Sequence, residues 1–253
     1  MTKLGAGRIG VITQARTTST RLPGKILLEA AGRTLLDHHL DRLAAAGLDV
    51  YVATTVNATD DPIVELARGR GLPVHRGSED DVLSRFTGCI EEFGLETVVR
   101  VTSDCPLIDG RLVAEAIAVF EQAGDPWLYV SNGLERTWPR GFDLEVFSAE
   151  ALLDAGRSAT EQPQREHVTP YLYTNGSGRM TLRNVARPDD GRDRDASAYR
   201  ITLDTPDDLT VIRSLIEQYD AARLDAEGII AVLDEHPELV AVNAHIEQKK
   251  LGQ

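Results

Sequence analysis

The sequence holds two cysteines and two methionines among 253 residues, and aromatic side chains make up only 5% of it. Cys89 and Cys105 share no CxxC spacing, so neither a disulfide framework nor a zinc site is expected and both read as reduced thiols. No His/Cys cluster has zinc spacing. No apolar stretch approaches the roughly 20 residues needed to span a bilayer. Met1 to Gly10 also lacks the apolar centre of a signal peptide, which predicts a cytoplasmic protein with no membrane partner. Basic side chains are scarce too: 27 Lys and Arg face 40 Asp and Glu, for a formal net charge of −13. So acidic a surface excludes broad binding to nucleic acid or an anionic membrane. Recognition of phosphate, if present, must be local.

A local basic site is present at residues 9–25, IGVITQARTTSTRLPGK. The short, β-branched run 9–13 reads as a strand buried in a parallel sheet. Residues 17–24 hold three Thr, one Ser, a Pro and a Gly, so the chain should leave that strand as a loop. Open α/β sheets bind ligands at the carboxyl ends of their strands. Arg16, Ser19, Arg21 and Lys25, with the loop's N–H groups, therefore suit a polyanion; the bland alternative is a solvated basic loop. Two familiar phosphate motifs fail here. Gly24-Lys25 is followed by Ile26, which rules out a P-loop, and the GAGRIG string at 5–10 precedes the first strand instead of following one. Residues 1–8 read as a flexible leader.

Apolar β-rich runs then alternate with helix-like segments, the signature of βαβ units. Helices are expected at 35–46, at 61–70 with Pro62 in the first turn, after Ser78 as a cap, at about 110–123, from Arg165, and at 206–219. Strands are expected at 49–55, 73–76, 97–102, 127–130, 141–148, 180–185 and 199–203. Arg76 ends a strand on the edge that carries the basic loop, as a ligand contact or a loop tether. Asp104, beside Ser103 in the turn after 97–102 and held by Pro106, is placed for a divalent cation next to bound phosphates. Its alternative role, capping the next helix, suits Asp109 better. Asp204 repeats the arrangement, an acid at a strand end with proline two residues on, although Asp204 or Thr205 could equally be an N-cap. Asp143 and Glu145 share one face of a half-buried strand and could grip sugar hydroxyls or face water. Glu166 and His167 lie in a charged trio with Arg165 that could point into a cleft. The other histidines read as packed or solvated. The tail from residue 221 is helical in pattern, with an apolar stripe of Ile229, Ile230 and Leu233, and acidic until Lys249-Lys250.

Six strings in order over residues 9–219, QARTTSTRLPGK, HRGSEDDVLSRF, RVTSDCPLID, GFDLEVFSAEAL, REHVTPYLY and ITLDTPDDL, resemble the SpsF-like cytidylyltransferases, relatives of the CMP-Kdo and CMP-sialic acid synthetases. The resemblance implies an α/β fold of the type shared with GT-A glycosyltransferases: three layers around a mixed, mostly parallel sheet over residues 9–220. Residues 221–253 would be a helical extension packed on the domain or on a dimer partner. It also implies attack by an acidic sugar on the α-phosphate of CTP, with release of pyrophosphate and a Mg2+ cofactor. Carried over, Arg16, Ser19, Arg21 and Lys25 would hold the triphosphate, with Arg16, Lys25 and Asp104 catalytic. Arg76 and Ser103 would lie by the nucleotide, Asp104 and Asp204 would hold Mg2+, and Asp143, Glu145, Glu166 and His167 would face the sugar, His167 being the candidate base. Related synthetases are commonly homodimers. Pro-Gly-Lys replaces their longer Lys/Arg series ending in Lys-Asn, which places the chain in the SpsF branch and leaves the sugar open. Two other readings stand beside this one. A GT-A glycosyltransferase would often carry an Asp-x-Asp pair, which Asp104-Cys105-Pro106 lacks, and a non-catalytic nucleotide-binding regulatory subunit would leave the acids idle.

Overall fold

Neighbouring residues of the first strand, Val11 and Ile12, are both buried but belong to different hydrophobic clusters. Val50 and Tyr51, and Val98 and Val99, divide the same way. Side chains alternate across a strand, so each cluster lies on one face of a sheet that helices cover on both sides. The computed structural model describes residues 7–189 and 195–248. Most of the expected leader, the centre of the loop after residue 189 and Lys249-Lys250 lie outside the described residues. Of the leader, Arg8 is tied down: its main-chain O accepts from Glu96 and Thr97 N–H.

The elements follow in chain order as β1 (Ile9–Gln14), β2 (Glu29–Ala30), β3 (Arg33–Thr34), α1 (Leu35–Ala45), β4 (Val50–Thr55), α2 (Asp61–Gly69), β5 (Val74–Gly77), α3 (Val82–Phe93), β6 (Thr97–Thr102) and α4 (Gly110–Ala123). Then come β7 (Leu128–Ser131), β8 (Glu145–Ser148), α5 (Ala149–Ser158), α6 (Gln162–His167), α7 (Pro170–Tyr173), β9 (Thr181–Asn184), α8 (Pro206–Tyr219), α9 (Ala226–Glu235) and α10 (Pro237–Asn243). Seven strands form the main sheet in the order β5-β4-β1-β6-β8-β7-β9. The first four are mutually parallel, β8 runs antiparallel to β6 and β7, and β7 and β9 are parallel. This is the mixed, mostly parallel three-layer arrangement that the resemblance implies. The antiparallel β8 has a functional consequence: it starts at the edge where β1, β4, β5 and β6 end, with Glu145 opposite Arg100. Among the described residues no helix is long and apolar enough to cross a membrane. Both cysteines are buried and unpaired.

Several boundaries differ from expectation for local reasons. Residues 141–144 are no strand because Gly141 adopts φ +114 and donates its N–H to the Asp143 carboxylate. A Cβ at Gly141 would lie 2.7 Å from the Ile201 backbone, so the close approach requires glycine. Residues 199–203 make no strand either. They bond single loops, Ile201 N–H to Arg140 O and Leu203 N–H to Asp104 O, both at 2.7 Å, and not a neighbouring ladder. Asp81, not Ser78, caps α3 by accepting from Ser84 N–H, and Ser78 accepts from Asp81 N–H one turn earlier. The helical stretch from Arg165 breaks after His167. Asp109 caps α4 and Thr205 caps α8, which releases Asp104 and Asp204 from both capping roles.

The C-terminal helices pack on the same chain. Ile229, Ile230 and Leu233 are buried in the cluster that holds Val11 and Val99. Asn243 of α10 donates to Arg200 O and to the Asp208 carboxylate. Asp208 is fully buried and also accepts from the Arg200 guanidinium and from Asp204 and Thr205 N–H. Burial alone would raise its carboxyl pKa; the Arg200 hydrogen bonds and charge, with Asn243 and Asp204 N–H, outweigh it and hold the group below the ordinary value. Asp208→Asn should therefore lower the unfolding free energy by about 2 kcal/mol in urea at pH 7, because the Arg200 guanidinium loses a charge-assisted bond and is left with the Asp204 carboxylate, which Lys25 and Arg21 also approach. A depressed carboxyl contributes stability above its unfolded pKa, about 4, and loses it as the pH falls through the folded value. The gap between wild type and variant should accordingly narrow below pH of about 4.

Candidate active site

The basic loop is built from its own residues outward. Asp60, buried at the start of α2, accepts from Thr17 N–H and Oγ1 at 2.8 and 2.7 Å and from the hydroxyls of Thr54 and Thr55 at the end of β4. Gly24 sits in the left-handed region at φ +65 and donates its N–H to Thr17 O at 2.9 Å, closing the loop on itself. Ile26, buried in the core, anchors the turn that follows. Lys25 is thereby aimed across the sheet edge. Its Nζ lies 2.9 Å from Asp104 Oδ2 and 2.9 Å from Asp204 Oδ1.

Three cations meet Asp204, since Arg21 approaches its Oδ2 at 3.1 Å and Arg200 donates to the same oxygen at 2.8 Å. Among the described residues Lys25 is the one cation that meets Asp104. Burial would lower the Lys25 pKa, but Asp104 and Asp204 raise it above the ordinary value. Burial would raise Asp104, and Lys25 with the Thr102 hydroxyl lowers it. Lys25 and Asp104 are thus both charged near neutral pH.

Arg21, Lys25, Asp104 and Asp204 line a cleft of about 600 Å³, together with Arg16 and Ser19 of the loop. Glu145, Glu166 and His167 line the same cleft. The cleft thus brings the proposed triphosphate residues, the proposed metal carboxylates and three of the proposed sugar residues to one place. Three nominated residues sit elsewhere. Arg76 donates to Thr55 O and Asn57 O and pairs with Asp61, contacts that tether the loop, and it is not among the residues that line the cleft. Ser103 is buried behind the Asp104 turn, 2.8 Å from the Thr13 hydroxyl. Asp143 pairs with Arg136 and holds the Gly141 turn.

Cleft residues that the sequence reading did not nominate include Gln14, Arg100, Arg136, Thr169, Tyr173 and Gln248. Arg100 had a signal: a cation in the middle of TVVRVT, an otherwise apolar or β-branched strand. It donates to Glu145 Oε1 at 2.9 Å and to Gln14 Oε1 at 3.1 Å. Its Nε and Glu145 Oε2 are both buried with no hydrogen-bond partner among the described residues, an unsatisfied donor and acceptor beneath the cleft lining. His167 and Thr169 flank Val168, whose φ of 73° and ψ of −58° form a γ-turn closed by Thr169 N–H to His167 O at 2.9 Å. That conformation is rare and costs roughly 1–3 kcal/mol, and such strain gathers at functional sites. It ends α6 and turns both neighbours toward the cleft. Burial, with the Arg100 charge, holds the His167 pKa below its ordinary value despite Glu166. The ring is therefore neutral at pH 7.

Among the described residues no group of three or more His, Cys, Asp or Glu side chains could hold a metal by themselves. Two carboxylates that converge on one cation, in a cleft with an anion loop, instead fit a hard divalent ion that completes its shell with phosphate oxygens and water. The donor chemistry fits Mg2+ arriving with a nucleotide.

A family model described as cytidylyltransferase matches residues 10–232. The spore coat polysaccharide biosynthesis protein SpsF of Bacillus subtilis is 32% identical over 235 residues, 90% of this chain and 94% of that protein. The 3-deoxy-manno-octulosonate cytidylyltransferase of Geobacter sulfurreducens is 39% identical over 114 residues, 44% of each chain. Among solved structures, a cytidylyltransferase from Leptospira borgpetersenii superposes with a TM-score of 0.86 at 29% identity, covering 96% of this chain and all of that one.

Proposed function

The chain belongs to the cytidylyltransferase family, CTP-dependent nucleotidyltransferases, and from that premise we propose that it transfers CMP from CTP to an acidic sugar, releasing pyrophosphate. The product would be an activated precursor for a polysaccharide or glycoconjugate. The observation that carries the reading is Lys25 held between Asp104 and Asp204 at the mouth of a basic loop. A triphosphate needs the cations, its metal needs the acids, and both lie in one cleft.

In this mechanism Arg16, Ser19 and Arg21 bind the β- and γ-phosphates with the loop N–H groups. Lys25 exchanges its carboxylates for phosphate oxygen as the nucleotide enters. Asp104 and Asp204 would hold Mg2+, which supplies charge neutralisation on the phosphates. Glu145, Glu166 and Arg100 orient the sugar. Its hydroxyl oxygen attacks the α-phosphorus in line, the bond from that phosphorus to the bridging oxygen breaks, and pyrophosphate leaves with the electron pair. His167, neutral at pH 7, takes the hydroxyl proton. Placement and charge suffice for such a transfer, and no covalent intermediate with the protein is needed. The cytoplasmic location and the homodimer expected from the resemblance belong to this same reading, and light scattering on the purified protein tests the second.

Pyrophosphate release on mixing with CTP, Mg2+ and a panel of acidic sugars tests the assignment. Sugar transfer from a nucleotide-sugar would point to a glycosyltransferase, and CTP binding without turnover to a regulatory subunit. The cleft also makes a prediction about Arg100. Lysine keeps the charge beside Glu145 but has no donor at Nε. Arg100→Lys should raise KM for the sugar about 10-fold, the scale of one lost hydrogen bond, while KM for CTP changes less than about twofold. Equal effects on both substrates would remove Arg100 from the sugar end.

A further inference from the structure

Beneath the cleft, outside its lining, His39 of α1 is fully buried with both ring nitrogens engaged. Nδ1 lies 2.9 Å from the main-chain O of Cys105 and Nε2 lies 2.9 Å from Thr13 Oγ1. The Thr13 hydroxyl is in turn 2.8 Å from Ser103 Oγ. A carbonyl can only accept, so Nδ1 carries the hydrogen. Burial pushes the imidazole pKa down to about 4, so the ring is neutral at pH 7 and Nε2 is an acceptor. The Thr13 hydroxyl must then donate to Nε2, and the Ser103 hydroxyl must donate to Thr13. Every proton along the chain is assigned.

One ring therefore grips the residues on both sides of Asp104, Cys105 directly and Ser103 through Thr13. The coupling extends further: Leu203 N–H donates to Asp104 O at 2.7 Å, and the Thr202 hydroxyl donates to the same oxygen at 3.3 Å. A shift in the Asp104 turn would carry the Asp204 segment with it. We infer that His39 is a positioning residue for the metal carboxylates, setting the aim of Asp104 and, through Leu203, that of Asp204. The inference rests on the reading of Asp104 as a carboxylate for Mg2+ bound with CTP.

Filling space beneath the sheet is the competing role, and the two separate in one ratio: the factor by which Mg2+, against EDTA, tightens CTP binding to folded protein by calorimetry. Loss of a hydrogen-bonding partner behind a metal ligand costs roughly 10-fold or more in metal affinity. His39→Leu keeps the bulk and removes both bonds, so its factor should fall about 10-fold. His39→Asn, whose amide can still donate to Cys105 O, should recover most of that loss. A folded His39→Leu with the wild-type factor and a lowered Tm would show a packing role and overturn the inference. Thr13→Val, nearly isosteric, should lower the factor severalfold if His39→Leu does not fold, and an unchanged factor there counts against the chain. Nitrogen chemical shifts of the wild-type ring test it without a variant: protonation at Nδ1 is expected, and protonation at Nε2 would overturn it. Asp104→Asn separates the premises. If that variant keeps the full Mg2+ factor, the metal reading has failed; if it loses the factor while His39→Leu keeps it, only the role of His39 has.

Discussion

Asp104→Asn is expected to slow CMP transfer by roughly 10³-fold, the loss of several kcal/mol of charge stabilisation at the phosphates, with little change in Tm. Asparagine has the same size and can still accept a hydrogen bond from Lys25, so the packing around the turn survives. What it lacks is the negative charge. Lys25 keeps Asp204 at 2.9 Å, so no buried cation is stranded, and Leu203 N–H still reaches the main-chain O of residue 104. The defect should appear in turnover and in Mg2+ dependence, whereas CTP binding in EDTA should stay near wild type because the basic loop is intact. Pyrophosphate release and a thermal melt on the same sample check both halves. Turnover within about tenfold of wild type would remove Asp104 from the metal, since one tenfold step is only about 1.4 kcal/mol.

The elements that the sequence revealed most clearly are those whose signals are local. Residues 97–102 form β6 as expected, and α4 runs between its Asp109 cap and Gly124, because alternation, caps and left-handed glycines act within a few residues. Residues 199–203, Tyr-Arg-Ile-Thr-Leu, form no strand because alternation does not say whether a ladder partner lies beside it. Arg76 and Arg100 make the same point about the site. Both are arginines on parallel strands, but Arg76 meets the carbonyls of Thr55, the last residue of β4, and of Asn57 just beyond it, whereas Arg100 stands opposite the first residue of an antiparallel strand more than forty positions away. Only the fold decides between them. The convergence of Asp104 and Asp204 is equally non-local. Each acid-x-Pro turn was legible, but that both reach one lysine depends on the bond from Leu203 to Asp104. The turn at Val168 had no sequence signal, since β-branched residues rarely adopt positive φ.

Lys25→Met should produce two effects of opposite sense. Turnover should fall by roughly 10²- to 10³-fold, because a preorganised cation beside the transferring phosphate is lost. Affinity for a divalent ion alone should rise. Lys25 Nζ lies where the two carboxylates converge, and a metal that takes both oxygens must compete with it. The charges in this cluster already balance: Arg21, Lys25 and Arg200 against Asp104, Asp204 and Asp208. A bare divalent ion would add two positive charges to a neutral site, whereas one bound to a triphosphate brings compensating negative charge and gives Lys25 a new partner. Methionine fills the aliphatic volume of lysine but leaves Asp104 without a cation, so the variant should melt earlier in EDTA. Millimolar Mn2+ without nucleotide should then restore part of the loss. An ion at ten times its Kd adds about 1.4 kcal/mol, which for a chain of this size is a rise of about 3–5 °C. Wild type under the same conditions should shift by less than about 1 °C, because Lys25 already satisfies the carboxylates. Equal shifts in both proteins would mean that lysine and metal do not share the acids, and Lys25 would then act on the phosphates alone.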